Sequence, residues 1–367
     1  MPHTTRPPFK QRGLTLIELM VALIIGFMVI LAAMSVFTST SRSSNTVDAA
    51  GQLRDDARFA ADIIQRLAVQ TGFEDIGFVT RTYQGTPKTY KAVNGDVDPL
   101  QMQAPIGGFT GAMPGDATYN PSSKKFSIAQ GAASEYGDTL ILRYHPVNKG
   151  ADDTDGTDGS MITCAGYAAG EAHSADIRTD RAVSVFYVAE DPSDGEPTLY
   201  CRYANIEGEG ALSAAQPLVK GVERFKVLYG VDNVVANTAT SAASATEHAK
   251  LIPDRYFTAS QMTVGNDEAA TQTNWRRVRA IRVGLVLRAG TGYGRTGQAQ
   301  DTRTINPLGD GFGSSYAPND FRLRQNYIFT INLRNCLNQG YQYAGDPGKS
   351  VAANIPSCDV IVPAEGV

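Results

Sequence analysis

Near its start the chain of 367 residues carries a long, almost unbroken run of apolar positions. From Leu14 to Phe37 only Thr15, Glu18 and Ser35 interrupt the run. At 1.5 Å per residue this segment would form a helix of about 36 Å, which is enough to span a bilayer. The pattern therefore predicts a membrane-spanning helix that contains a single carboxylate.

After this segment the helical pattern continues but becomes amphipathic. Apolar residues recur every three or four positions and form one stripe, made of Val47, Ala50, Leu53, Ala57, Ala60, Ile64 and Leu67. No proline occurs between Leu14 and Gln70, and Thr71-Gly72 is typical of a helix end. We predict one helix over residues 14 to about 70, whose second half packs under a globular head.

The rest of the chain alternates between β-forming segments and polar loops. Strands are predicted at Gly137–His145, Ala182–Ala189, Thr198–Tyr203, Gly221–Val231, Val278–Arg288 and Tyr327–Leu333. Long loops are predicted where Gly, Asp, Ser and Thr are frequent, at 107–124, 147–160, 232–250 and 290–320. The predicted fold class is α+β: one long N-terminal helix packed on an antiparallel β-sheet head with long loop insertions.

The charges around Glu18 suggest both an orientation and a functional residue. Arg6, Lys10 and Arg12 precede Glu18 and no acidic residue does. Such an excess of positive charge holds this end of a membrane helix in the cytoplasm, so the head is expected outside. A carboxylate well inside hydrocarbon costs roughly 2–3 kcal/mol, which makes Glu18 a functional candidate.

The stretch from Lys10 to Glu18, with the apolar run after it, resembles the class III signal of type IV prepilins and pseudopilins. The resemblance implies that a prepilin peptidase cuts between Gly13 and Leu14 and then methylates Leu14, where the family usually has phenylalanine. It also implies that Glu18 meets the N-terminal amine of a neighbouring subunit during assembly. The expected segments are a leader at 1–13, a transmembrane half-helix at 14–37, an amphipathic half-helix at 38–71 and an extracytoplasmic β-rich head at 72–367.

Three alternatives for the N-terminal segment stay open. A secretory signal peptide would have a shorter apolar core and an A-x-A-like site, of which Leu31-Ala32-Ala33 is a poor version. An ordinary signal anchor could carry Glu18 by coincidence. Glu18 could also simply face the membrane interface, about 6 Å from the new N-terminus.

Segments in the second half of the chain resemble PilW-type minor pilins. They occur in that family's order and are Leu199-Tyr200-Cys201, Leu218–Glu223, Val227–Asp232, Val278–Arg288 and Phe329–Asn335. The resemblance implies a non-enzymatic minor pilin that helps to assemble, prime or cap a type IV pilus. The alternatives are a minor pseudopilin of a type II secretion system, a pilus-tip adhesin and a membrane-anchored periplasmic hydrolase.

The resemblance also implies partners and a location. The partners would be other minor pilins, the major pilin, the prepilin peptidase and the inner-membrane assembly platform. The protein would lie in the inner membrane of a Gram-negative bacterium, with its N-terminus in the cytoplasm and its head in the periplasm, and later in the pilus at the cell surface.

Charge argues against nucleic acid as a partner. The formal net charge is −4, and removal of the basic leader would make the chain more acidic. The sequence does contain a basic stretch, made of Arg276, Arg277, Arg279, Arg282 and Arg288. However, apolar residues alternate with Arg282 and Arg288, which predicts a half-buried strand with arginines on its solvent face.

The four cysteines predict disulfide bonds in an oxidising compartment. They are Cys164, Cys201, Cys336 and Cys358, all on the expected outer side of the membrane. Three pairings are possible. We favour Cys164–Cys201 and Cys336–Cys358, because partners that are close in sequence close smaller loops.

One acidic cluster could bind a metal, with calcium as the candidate. Asp153, Asp155 and Asp158 offer oxygen ligands around a glycine, which suits a hard cation. The cluster is not an EF-hand, because Cys164 stands where the bidentate glutamate belongs. The alternative is a hydrophilic turn of the kind that Asp and Gly favour.

The histidines give no catalytic motif. His145, His173 and His248 lie in no recognisable hydrolase frame. The hydrolase alternative would therefore need a serine or cysteine within hydrogen-bond reach of one of them.

Overall fold

The computed structural model describes residues 13, 15–73, 103–122, 125–147, 149, 156–170, 181–207, 210–240, 252–290, 304–313 and 315–334. The chain divides into two compact units, Met1–Gly51 and Gln52–Val367. The first unit contains most of helix α1, Leu16–Gln70, and the second contains the last turns of that helix and the β-rich head.

Helix α1 confirms the predicted long helix, with its first residue two positions later than expected. The predicted apolar stripe is confirmed near the helix end, where Leu53, Ala57 and Ile64 are buried in the head. Val47 does not belong to it, because its side chain is 66% exposed. A helical repeat of 3.6 residues rotates Val47 away from the buried face over these turns.

The helix ends at the predicted place and is fixed there by the head. Gly72 has φ of +71°, the left-handed conformation that commonly terminates helices and that glycine adopts without strain. Its N–H donates to the carbonyl oxygen of Arg143 at 2.9 Å, and the N–H of His145 donates to the carbonyl oxygen of Phe73 at 2.9 Å. The chain after α1 is thus bonded directly to the sheet.

The strands of the head are, in chain order, β1 Ile106–Phe109, β2 Ala112–Asn120, β3 Lys125–Ala133, β4 Thr139–Tyr144, β5 Ala182–Glu190, β6 Pro197–Ala204, β7 Gln216–Lys220, β8 Val222–Val231, β9 Arg255–Phe257, β10 Val278–Arg288 and β11 Arg324–Asn332. Two short helices, α2 Ala259–Met262 and α3 Glu268–Trp275, lie between β9 and β10. All strand pairs are antiparallel.

The strands form a five-stranded sheet, a four-stranded sheet and a hairpin. The order in the larger sheet is β1-β4-β5-β6-β7, and the order in the second is β11-β10-β8-β9. The β2–β3 hairpin covers one face of the larger sheet, because Phe126 and Ile128 pack with Ile141, Val183 and Val185. The architecture is therefore α+β, a long apolar N-terminal helix followed by antiparallel sheets, as expected for a pilin-like fold.

The two larger sheets meet where Gly137 lies against Phe225 in a parallel bridge. The adjacent Asp138 carboxylate accepts hydrogen bonds from the N–H groups of Gly111 and Val227, at 2.8 and 2.9 Å. Lys226 Nζ also lies 3.0 Å from that carboxylate. One buried aspartate therefore joins the start of β2, the approach to β4 and the strand β8.

All six predicted strands are present, but one predicted loop is wrong. Segment 107–124 contains most of β1 and all of β2. Its Gly and Pro residues suggested turns, yet the β2–β3 pairing absorbs them at two register shifts on either side of Pro114. Bulges of this kind admit residues that a regular ladder would exclude.

Candidate functional site

Thr15 and Glu18 form a reciprocal cap at the start of α1. The Thr15 N–H donates to Glu18 Oε2 at 2.9 Å, and the Glu18 N–H donates to Thr15 Oγ1 at 3.4 Å. The Thr15 hydroxyl also donates to Glu18 Oε2 at 3.0 Å. This is a capping box, which satisfies two N–H groups that a helix start leaves unpaired. The Thr-x-x-Glu spacing is the sequence signal that could have predicted it.

The helix that follows the cap exposes its apolar side chains on every side. The large hydrophobic residues from Leu16 to Phe37 are all exposed, Leu16 and Phe37 by more than 70%. The helix is long and apolar enough to cross a membrane. Its few hydroxyls are satisfied within the helix, since Ser35 donates to the carbonyl oxygen of Ala32 at 2.8 Å. This surface suits lipid or the apolar helices of other subunits.

A disulfide joins Cys164 to Cys201, the first of the two predicted pairs. The Cα atoms are 6.1 Å apart, and both side chains are buried. The bond attaches the turn around residues 161–170 to strand β6. The Cys164 N–H also donates to Ser184 Oγ at 3.1 Å, so the turn is held to β5 as well. Cys336 and Cys358 lie outside the described residues.

The acidic cluster is described only in part. Asp153 and Asp155 lie outside the described residues, whereas Asp158 accepts a hydrogen bond from the Ser160 N–H at 2.8 Å. That contact is an Asx turn, which is the structure expected for a hydrophilic turn. Among the residues that the structure describes, no group of three or more His, Cys, Asp or Glu side chains could hold a metal ion. Calcium binding at this loop stays a prediction.

The arginine-rich stretch does not form an exposed basic surface. The prediction that the arginines of β10 lie on a solvent-exposed face is therefore wrong. Arg276, Arg277 and Arg279 are buried, and burial lowers the pKa of Arg279 to about 10. On the face expected to meet solvent, Arg282 lies beneath another segment. Its guanidinium donates to the carbonyl oxygen of Leu308 at 3.1 and 3.2 Å and stacks 4.7 Å from the Phe312 ring centroid.

Among the histidines, only His145 lies in the described head. It is buried, and its Nδ1 is 3.1 Å from the carbonyl oxygen of Phe73. The ring therefore helps to hold the segment that follows α1. His173 and His248 lie outside the described residues, and Cys164 and Cys201 are committed to their disulfide.

Buried ion pairs that sequence reasoning missed hold the head together. Glu207, which is buried and follows β6, bridges Arg143 and Arg181: Arg143 Nε lies 2.8 Å and Arg181 Nε 3.1 Å from its carboxylate oxygens. The Arg143 and Arg181 guanidiniums also donate to Ala104 and Gln103, which fixes the approach to β1. Their partners are distant in sequence, so no local pattern could have revealed them.

Two family models match the chain. Residues 8–34 match the prokaryotic N-terminal methylation motif, and residues 185–335 match type IV pilus-assembly protein W, or PilW. The first range contains Gly13, Leu14 and Glu18, and the second runs from β5 to just beyond β11.

Among solved structures, the type IV-like pilin TTHA1219 from Thermus thermophilus is similar at 14% identity. The alignment covers 77% of this chain and 96% of that chain, with a TM-score of 0.33. None of the curated protein sequences matches the chain.

The helix and the two family matches define a type IV pilin-like protein. The chain carries the N-terminal methylation motif at the start of its long apolar helix and a PilW region in its head. Its general role is that of a pilus-related structural subunit. That role involves other pilus components and processing by a prepilin peptidase.

Proposed function

We propose that this protein takes part in the assembly of a type IV pilus, by priming or capping the filament. The observation that carries the proposal is the position of Glu18. It is the one carboxylate in a predominantly apolar, exposed half-helix, and it lies within the match to the methylation motif. A charge at such a place is retained at a free-energy cost and needs a partner.

The proposed partner is created by processing. Cleavage between Gly13 and Leu14, followed by methylation of Leu14, leaves an amine that is positively charged near neutral pH. An amine that enters a bundle of apolar helices needs an opposite charge, because an unpaired buried charge is very costly. Glu18 of one subunit would meet the Leu14 amine of its neighbour, and so select the register in which subunits add.

The proposed topology follows from the leader. Arg6, Lys10 and Arg12 favour a cytoplasmic N-terminus, which places the head in the periplasm of a Gram-negative cell. From the inner membrane the subunit would be handed by the assembly platform to other minor pilins and the major pilin. The disulfide of the head is consistent with an oxidising compartment.

A Glu18→Gln variant tests the pairing and separates it from the capping box. Glutamine at this position also caps a helix, so the variant should fold and insert as the unchanged protein does. It cannot carry the negative charge, so its amount in sheared pili relative to the membrane pool should fall at least about tenfold, as expected for an ion pair removed from an apolar core.

The matched control is Ser35→Ala, which removes a polar group from the same half-helix and should leave incorporation unchanged. Normal incorporation of Glu18→Gln into pili would refute the charge pairing.

The PilW match favours a pilus over the type II secretion alternative, which shares the leader and the helix. Removal of this protein from its cell should therefore reduce the number of surface pili and leave type II secretion intact. The reverse result would assign the chain to the pseudopilins.

A further inference from the structure

The part of helix α1 that belongs to the head unit has one buried face and one exposed face. The buried face includes Ala57, Ala60 and Ile64. Phe59 lies on the other side of the helix and is 54% exposed. Among residues 52–70, all of which the structure describes, it is the only exposed large apolar side chain. An aromatic residue within a charged surface is a typical anchor of a protein–protein contact.

Charged residues of opposite sign lie on the two flanks of this exposed face. At about 100° of rotation per residue, Arg54 and Arg58 lie one turn apart on one flank, which we call the basic flank. Asp56, Phe59 and Ile63 lie on the other, which we call the acidic flank, roughly 150° away. Arg54 and Arg58 are exposed, whereas Asp56 and Ile63 are partly buried.

The charges of the two flanks have no partners in the described part of the chain. Among the residues that the structure describes, none forms an ion pair with Arg54, Arg58 or Asp56. Burial and the adjacent Asp55 carboxylate raise the pKa of Asp56. Arg54 and Arg58 are spaced so that their like charges repel each other. Each flank would therefore be stabilised by a second molecule that brings the opposite charge.

We propose that a second copy of this chain docks on the exposed face of α1, with its basic flank against the acidic flank of the first copy. Two subunits anchored in one membrane lie parallel, so Arg54 of the second copy meets Asp56 of the first. Arg58 of the second copy then lies over Phe59, because each pair of residues is separated by about one turn of its helix. Arginine suits both contacts, since its planar guanidinium pairs with carboxylates and stacks on aromatic rings.

The proposed contact joins two different flanks, so it is not two-fold symmetric. Each copy uses one flank towards one neighbour and keeps the other flank available for a further subunit. Contacts of this kind can extend into an open chain of subunits. The inference adds a second copy of this chain to the partners proposed above, and it rests on that proposed function only for the parallel orientation.

Charge-reversed variants of the full-length, unprocessed chain test the docking. Chains that carry a donor or an acceptor fluorophore on a C-terminal tag are mixed in vesicles of phosphatidylethanolamine and phosphatidylglycerol, and association is measured by energy transfer. Asp56→Arg should weaken association at least about fivefold, because like charges then face each other. The double variant Arg54→Asp, Arg58→Asp should do the same. A mixture of the two variants restores opposite charges and should associate within about twofold of the unchanged chain.

The matched control is Asp116→Arg, which reverses an exposed charge on β2 and should leave association unchanged. No association of the unchanged chain, a loss with only one of the two reversed flanks, or no rescue in the mixture would each overturn the proposal. The unprocessed chain has no free amine at Leu14, so the proposed pairing with Glu18 is absent from this experiment. The docking and the charge pairing can therefore fail independently.

Variants of Phe59 separate docking from a role within one chain. Phe59→Gln should weaken association at least about threefold and leave the Tm of the head unchanged, because the side chain is exposed. Phe59→Tyr keeps the aromatic ring and should associate as the unchanged chain does. A lower Tm of Phe59→Gln without a loss of association would assign Phe59 to a contact within one chain and contradict the proposal.

Discussion

Arg322 and Glu196 form a two-point ion pair that joins the two larger sheets. Arg322 Nη1 lies 2.9 Å from Glu196 Oε1, and Nη2 lies 2.9 Å from Oε2. Glu196 immediately precedes β6, whereas Arg322 precedes β11, and Arg288 at the end of β10 donates to the same carboxylate at 3.1 and 3.2 Å. Because such paired bonds fix both distance and angle, this contact sets the relation between the sheets.

This ion pair predicts acid sensitivity of the head. Burial would raise the pKa of Glu196, but the hydrogen bond from Arg322 and the charges of Arg288 and Arg322 more than offset it, so the pKa lies below 4.5. Glu223 behaves in the same way, with Arg324 as its main partner. A depressed pKa adds stability above the unfolded pKa, and that stability is lost as the pH falls through the folded pKa. We therefore expect the Tm of the head to decrease as the pH is lowered below about 4.5.

A Glu196→Gln variant isolates the contribution of this carboxylate. In thermal unfolding followed by circular dichroism, it should unfold at a lower temperature than the unchanged chain at about pH 7. The difference should shrink as the pH is lowered from about 4.5 toward the folded pKa of Glu196, because protonation removes the charge that distinguishes the two chains. A difference that stays constant over this range would show that the charge on Glu196 does not stabilise the fold.

Gly137 is required where the two larger sheets meet. It has φ of +146°, and a Cβ there would lie 1.9 Å from the carbonyl oxygen of Phe225. Gly137→Ala should therefore lower the free energy of unfolding by more than about 3 kcal/mol. Gly195→Ala is the matched control, because its φ is +71° and nothing lies within 4 Å, so the cost should be only about 1–2 kcal/mol. Equal costs in denaturant unfolding would contradict the close approach at Gly137.

The Cys164–Cys201 bond should contribute measurably to stability. It closes a loop with a sequence separation of 37, for which chain entropy gives about 3–4 kcal/mol. Replacement of both cysteines by alanine should reduce the free energy of unfolding by an amount of that order. Peptide mapping without reduction should recover residues 164 and 201 in one linked fragment. A fragment that links Cys164 to Cys336 or Cys358 would disprove the pairing.

Much of the fold could be predicted because its signals are local. The apolar run and the amphipathic stripe after it predicted α1. Segments rich in β-forming residues predicted six strands, which are β4, β5, β6, β8, β10 and β11. The hairpin β2–β3 could not be predicted, because its glycines and Pro114 also specify turns, and only pairing with β3 decides between the two. Gly108 shows the same limit: a Cβ there would lie 2.1 Å from Tyr229 Oη, and that residue is distant in sequence.

The prediction that one face of β10 is exposed to solvent was wrong for a related reason. Alternation predicts which residues share a face, but it does not say what covers that face. Here the carbonyl oxygen of Pro307 lies so close to Gly284 that a Cβ at this residue would be only 2.1 Å from it. The Arg282 guanidinium donates a hydrogen bond to the carbonyl oxygen of Leu308 in the same segment. By contrast, the candidate residues Gly13, Leu14 and Glu18 could be proposed from sequence, because a processing signal is recognised as a short linear motif.

Gly13 should control processing. Replacement of Gly13 by a bulky residue such as tryptophan should block cleavage by the prepilin peptidase, because the small residue before the scissile bond is part of the matched motif. The expected product is the full-length precursor on a gel and by intact mass. Leu14→Phe, which restores the residue usual in the family, serves as the control and should be cleaved. A mature-length product from the Gly13 variant would contradict the proposed site.

The central claim is that this chain is a processed pilin subunit. It is tested most directly by intact mass and N-terminal sequencing of the membrane-extracted protein, produced with and without the prepilin peptidase. The account predicts a chain that starts at N-methylated Leu14 when the peptidase is present, and an uncut precursor when it is absent. A start beyond Met34, or an uncut Met1 in the presence of the peptidase, would contradict it.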